Sequence, residues 1–151
     1  MDISNLINMD AIFPSLKATS KKQLLQELGN LAKKAIGKPV YEIANVLMER
    51  ERLGSTGVGQ GVAIPHGRFA ELDKICGIFA KLETPVNYDS IDDQPVDLVF
   101  LLLVPEQAGA DHLKALAKIS RVLRDKNICE KLRGTDSGDA IYAILNSTQA
   151  A

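Results

Sequence analysis

Residues 50–68 read Arg50-Glu51-Arg52-Leu53-Gly54-Ser55-Thr56-Gly57-Val58-Gly59-Gln60-Gly61-Val62-Ala63-Ile64-Pro65-His66-Gly67-Arg68. The stretch opens as the last turn of an amphipathic helix, passes through glycines at 54, 57, 59 and 61, and ends on a short apolar piece and Pro65-His66-Gly67. Proline fixes its backbone and glycine frees it. A histidine between the two is presented rather than packed, so His66 is the candidate reactive residue and the rest of the chain its support.

Working outward, a helix is predicted on the N-terminal side from about Pro39 to Leu53. Pro39 suits its first turn, and Val40, Ile43, Ala44 and Leu47 form its apolar stripe. Arg50 continues that stripe, three residues beyond Leu47. An arginine on the inward side of a helix end fits a site where an anion meets it; the alternative is a cation favoured by the helix dipole. Before it, Ser20 with Gln23 reads as a capping box. It opens a helix with Leu24, Leu25, Leu28, Leu31, Ala32 and Ile36 inward and Gly37 as its stop. Ile12, Phe13 and Leu16 around Pro14 suit an edge strand.

On the C-terminal side, residues 75–84 (ICGIFAKLET) read as a strand. Residues 96–104 (VDLVFLLLV) are nearly continuous apolar sequence, the mark of a central strand covered on both faces. The acidic loop YDSIDDQPVD lies between them, and Pro105 ends the second strand. A helix follows from about Ala110 to Asp125, with Leu113, Leu116, Ala117, Ile119 and Leu123 inward. Asn127 is the predicted cap of a short helix closed by Gly134. A last helix covers about Asp136 to Asn146, with Ala140, Ile141, Ile144 and Leu145 as its apolar positions. Interleaved helices and strands give an α/β class: one domain over 1–151, a mixed sheet sandwiched between helices. His112 lies on the apolar stripe of its helix, four before Leu116 and seven before Ile119, in the first turn. A helix N-terminus disfavours the protonated ring. The competing view is a half-buried structural histidine.

At 151 residues the chain is long enough to bury a sizeable core. Hydrophobic residues make up 46% and charged residues 25%, ordinary for a globular protein. A net charge of −1 provides no basic face for nucleic acid. The segment MDISNLINMD lacks a basic region followed by an apolar core, so no signal peptide is expected. No apolar run approaches the ~20 residues of a membrane span. Cys76 and Cys129 lie far apart and outside any metal-ligand spacing; Cys76, in an apolar strand-like run, is expected to be a buried free thiol, and a reduced, cytoplasmic setting follows.

The glycine loop is neither a Walker A loop, because Gly61 is followed by Val62 and Ala63, nor a dinucleotide fingerprint, which needs a strand before it and a helix after it. Its backbone N–H groups, with the Ser55 and Thr56 hydroxyls, would make an anion nest near His66. Ser55, Thr56, Gly57 and Gly67 are therefore candidate phosphate-binding residues; the alternative is a tight loop without a ligand. Two distant histidines and no cysteine pair predict no metal. No Gly-x-Ser-x-Gly elbow occurs. Histidine itself is left as the nucleophile.

The Gly-Ser-Thr-Gly and Pro-His-Gly elements at this spacing resemble the IIA proteins of the fructose/mannitol class of the bacterial phosphoenolpyruvate-dependent phosphotransferase system. The resemblance extends from the N-terminal region to the last helix, and His112-Leu113 opening the helix that ends Leu123-Arg124-Asp125-Lys126 belongs to it. It is most like the free-standing nitrogen-regulatory branch; the basic Arg68 fits that branch, and the IIB and IIC parts of sugar transporters are not in this chain. The resemblance implies a sheet of about five strands flanked by helices. His66 would be the phosphorylated residue, Arg50 its arginine partner and His112 the second active-site histidine. The phosphoryl donor would be the histidine carrier HPr or a paralogue, with no cofactor, and downstream regulatory proteins would read the phosphorylation state. Two further functions stay open: a sugar-specific IIA component passing phosphate to a IIB protein, and a non-catalytic regulatory or sensor module.

Overall fold

Two short 3-10 turns, Ile3–Asn5 and Met9–Ala11, precede β1 (Ile12–Leu16) in the computed structural model, which describes residues 2–147. Ser20 then caps α1 (Lys21–Ile36), its hydroxyl accepting the Gln23 N–H. The Gln23 side chain returns not to Ser20 but to the N–H and hydroxyl of Thr19, at 2.6 and 2.8 Å. Gly37 ends the helix with φ 67°, a left-handed conformation that glycine adopts without strain. Pro39 stands at the cap of α2 (Val40–Arg52), one position before the first turn. The glycine stretch follows as β2 (Gly57–Gly59), β3 (Val62–Ala63) and β4 (His66–Phe69), and the two long strands are β5 (Cys76–Val86) and β6 (Val96–Pro105). Three helices close the chain: α3 (Ala110–Arg124), α4 (Lys126–Arg133) and α5 (Gly138–Asn146).

The sheet order is β1-β5-β6-β3-β2, with β4 also paired to β6. β5 and β6 run antiparallel in the middle; β1 is parallel to β5, and β3 and β4 are parallel to β6. A mixed sheet between helices is the expected class. The sheet has six strands, against the about five that the resemblance implied, and three of them are short strands in the segment read as a loop. β6 alternates as a doubly covered strand must. Leu98, Phe100 and Leu102 join the core under α3, α4 and α5, whereas Val99, Leu101 and Leu103 join the core under α1 and α2. Every residue from Leu98 to Val104 is 0% exposed, which rules out an edge position for this strand.

Several local expectations need correcting. Asp125, not Asn127, caps α4: its carboxylate accepts the Asn127 and Ile128 N–H groups. The buried stripe of α3 is His112, Ala115, Ile119, Val122 and Leu123, so Leu113 and Ala117 point to solvent. Cys129 is buried, but Cys76 is only half-buried; both are free thiols. The last helix starts at Gly138, where Ser137 accepts the Ala140 N–H. No helix among the described residues is long and apolar enough to cross a membrane.

Candidate active site

His66 opens β4, opposite Leu102 of β6 in the register. β3 and β4 both pair with β6, but the pairing of β2 covers β3 alone, from Gly57 opposite Ala63 to Gly59 opposite Val62. β4 thus has an edge with no strand partner among the described residues. The C-terminal end of α2 reaches that edge from one face of the sheet and the first turn of α3 from the other. Gly67 makes the first approach possible: a Cβ there would lie 2.6 Å from Val46 Cγ1 on α2.

Two contacts fix the His66 ring. Nδ1 lies 2.9 Å from the Ile64 carbonyl oxygen, and the Arg50 Nε–H donates to Nε2 at 3.2 Å. A carbonyl only accepts and a guanidinium only donates. Both contacts therefore specify one tautomer, with the proton on Nδ1 and the lone pair on Nε2. Arg50 is held from its other end, donating from Nη1 to the Gly54 carbonyl at 2.9 Å. His112 meets His66 edge to face, ring centroids 5.3 Å apart and planes at 67°. It is buried, and neither ring nitrogen has a hydrogen-bond partner among the described residues.

Burial is the main reason that the His66 pKa lies below the ordinary 6.5; the Ile64 carbonyl works against it and the Arg50 charge adds to it. The His112 pKa is lowered too, first by burial and then by the neighbouring His66, Arg68 and Arg50. Both rings are therefore neutral at pH 7. A neutral imidazole with its Nδ1 proton tied down is a nucleophile at Nε2. The arrangement offers that lone pair, a guanidinium beside it and a second neutral imidazole with an uncommitted N–H.

The loop residues do other things. Ser55 accepts the Gly57 N–H at 3.0 Å and donates to the Tyr88 carbonyl at 3.4 Å. The Thr56 N–H donates to both oxygens of the Glu51 carboxylate, at 3.0 and 3.2 Å, and its hydroxyl also meets Glu51. These groups are committed within the fold, so the expected anion nest is closed at Ser55, Thr56 and Gly57. The turn between β2 and β3 has φ 102°, 57° and 82° at Gly59, Gln60 and Gly61. The acidic loop pins it: Asp92 accepts the Gln60 N–H at 2.8 Å, which with the Gln94 N–H lowers its carboxyl pKa.

Glu51 is the residue that the sequence reading missed. It stands four after Leu47 on the same helix, so the buried face that runs through Ile43 and Leu47 ends on it as well as near Arg50. It pairs with Lys21 at 2.7 Å and accepts from the Tyr88 hydroxyl at 3.1 Å. Tyr88 is fully buried, which with the adjoining Glu51 charge drives its hydroxyl pKa up. The signal available was an acidic residue at a helical spacing reserved for apolar ones.

Residues 5–148 match the family model of the phosphoenolpyruvate-dependent sugar phosphotransferase system, EIIA 2. The chain belongs to this family. It is 54% identical over 145 residues to a nitrogen regulatory protein of Bradyrhizobium diazoefficiens, across 96% of this chain and 95% of that one. The structure resembles that of nitrogen regulatory protein IIA-Ntr from Neisseria meningitidis, with 39% identity, a TM-score of 0.90 and coverage of 95% and 98% of the two chains. The same fold, at 23% identity and a TM-score of 0.78, occurs in the complex of enzyme IIA-mannitol with phosphorylated enzyme IIB-mannitol from Escherichia coli, covering 94% of this chain and 99% of that one. IIA domains of this family carry phosphoryl groups, and fructose-specific relatives exist beside the nitrogen-regulatory ones.

Proposed function

We propose that this protein is a single-domain histidine phosphocarrier, phosphorylated on Nε2 of His66 by HPr or a paralogue, whose phosphorylation state acts as a nitrogen-type regulatory signal. The observation that carries the reading is the fixed tautomer of His66: Nδ1 donates to Ile64 and Nε2 keeps its lone pair facing Arg50. In the transfer, the Nε2 lone pair attacks phosphorus in line. The P–N bond of the donor phosphohistidine breaks, and its electron pair returns to the donor ring. The product ring keeps its Nδ1 proton, and the Ile64 carbonyl stabilises the positive charge that the new P–N bond places on it. Arg50 turns from Nε2 to the phosphoryl oxygens, and His112 donates an N–H to one of them. Such transfer needs positioning and charge stabilisation rather than a cofactor or metal.

Resemblance to nitrogen regulatory proteins over nearly the full chain supports the regulatory purpose. Partners in this reading are an HPr-like carrier and downstream regulatory proteins, and two free thiols suit a cytoplasmic setting. Phosphate transfer to a IIB protein is the sugar-transport alternative; the neighbour solved with phosphorylated IIB-mannitol keeps it in view. Incubation with phosphoenolpyruvate and the general phosphotransferase proteins tests the reading. Acid-labile, alkali-resistant phosphate on this chain is expected. A protein that takes up none is a binding module instead.

A further inference from the structure

The network around Glu51 lies behind the site and touches no reacting atom. We infer that Glu51 is a positioning residue for transfer at His66, closing the turn from 51 to 56 so that the Arg50 guanidinium is aimed at Nε2; this rests on reading His66 as the acceptor.

The guanidinium sits on a long flexible stem, and among the described residues two hydrogen bonds hold it: Nε to His66 and Nη1 to the Gly54 carbonyl. The aim of Arg50 is therefore as good as the placement of that carbonyl. Side-chain packing at positions 53 and 54 supplies little of it. Leu53 is 85% exposed, and a Cβ on Gly54 would touch nothing within 4 Å. The turn is closed from outside, by the Glu51 carboxylate drawing in the Thr56 N–H and hydroxyl. The Leu53 and Gly54 N–H groups complete it on the Arg50 and Glu51 carbonyls, at 3.1 Å each.

Glu51 is itself immobilised. Tyr88, fully buried, donates to Oε1, and Lys21 donates to Oε2. Lys21 stands at the first residue of α1, where a helix dipole disfavours a cation. Its ammonium also lies 4.7 Å from the Tyr88 ring centroid. A cation held in an unfavourable place, over a buried ring and against a buried carboxylate, belongs to a fixed assembly. An α-helix rotates about 100° from one residue to the next. Arg50 therefore faces the open edge of β4 while Glu51, next to it, faces inward. One helix end carries both the working group and its anchor.

The test compares wild type, Glu51→Gln and Tyr88→Phe by two readouts below their melting temperatures. The first is solvent exchange of the Arg50 Nε–H, followed by nitrogen-15 NMR in the absence of any phosphoryl donor. The second is single-turnover uptake from phosphorylated HPr, resolved into a saturating rate and a half-saturating carrier concentration. Glu51→Gln is expected to speed the exchange and to slow the saturating rate, each about tenfold, the scale of one lost hydrogen bond to a charged group. The half-saturating concentration stays within about twofold, because no docking surface changes. Tyr88→Phe removes one donor and should give smaller changes in the same direction, and it decides the matter if Glu51→Gln does not fold. Lower thermal stability with both readouts unchanged in the folded variants would overturn the inference, leaving Glu51 a plain structural residue. Faster Arg50 exchange in a protein whose wild type takes up no phosphate would uphold the positioning and sink the phosphocarrier reading alone.

Discussion

At the scale of single residues, the site rests on a division of labour between the two nitrogens of His66. The Ile64 carbonyl takes the proton-bearing side and Arg50 guards the lone pair. Arg50→Ala removes one preorganised donor and should slow transfer by about 2–4 kcal/mol of transition-state free energy, with little change in melting temperature. Single-turnover kinetics and a thermal melt check both halves. A sharp loss of stability with normal transfer would make Arg50 a structural cap. His112 differs from Arg50 in its partners. Its ring nitrogens are buried without partners among the described residues, a cost that the fold bears in the unphosphorylated state. His112→Ala should leave stability nearly unchanged but slow phosphorylation of His66. His112→Gln, which keeps an N–H donor, should recover part of the rate. Equal rates in the two variants would show that the N–H plays no part.

At the scale of elements, the site exists because α2 lies close on β4. Gly67→Ala puts a methyl against Val46 Cγ1, a stiff β-branched neighbour at 2.6 Å, with Phe69 Cε2 at 3.3 Å behind it. The expected cost is about 1–3 kcal/mol in denaturant unfolding, the range for overpacking a tight contact. Transfer should also slow as α2 carries Arg50 away from Nε2. An unchanged midpoint would mean that the strand slides without loss. Much at this scale was legible in the sequence. Ser20 and Gly37 bracket α1 because an N-cap hydroxyl and a left-handed stop act locally. The apolar run of β6 announced a strand covered on both sides. What escaped depends on tertiary choice. α3 has more apolar residues than one face holds, and the sheet accepts the face through His112 and Ala115, leaving Leu113 68% exposed. Within the glycine segment, β3 and β4 pair with β6, a long-range contact with no local trace, and β2 pairs back on β3. Arg50 and His112 stand out in the sequence as polar residues on apolar stripes. Glu51 carries the same mark, an acidic residue four after Leu47 on the buried face of α2.

At the scale of the whole molecule, the two depressed histidine pKa values link the site to folding. Both groups titrate at an ordinary 6.5 when unfolded and below that in the fold. The unfolded chain therefore binds protons first as the pH falls. Their contribution to stability is complete above pH 6.5 and is lost as the pH drops through the folded values. Urea midpoints measured from pH 7.5 to pH 5 should fall across that window, and the fall should shrink in the His66→Ala, His112→Ala double variant. An identical slope in that variant would assign the effect to other groups. The same sign governs uptake: the acid limb of the pH–rate profile should lie below pH 6.5, because neutral His66 persists there.

The central claim is that a phosphoryl group goes to one atom of this chain, Nε2 of His66. The most direct measurement is nitrogen-15 and phosphorus-31 NMR of the phosphorylated protein, kept alkaline, with histidine-labelled wild type beside His66→Ala. The expected result is one phosphorus-coupled ring nitrogen, Nε2 of His66, with Nδ1 of that ring still protonated and no signal in His66→Ala. Phosphorus coupled to Nδ1, or to either nitrogen of His112 with His66 unmodified, would contradict it.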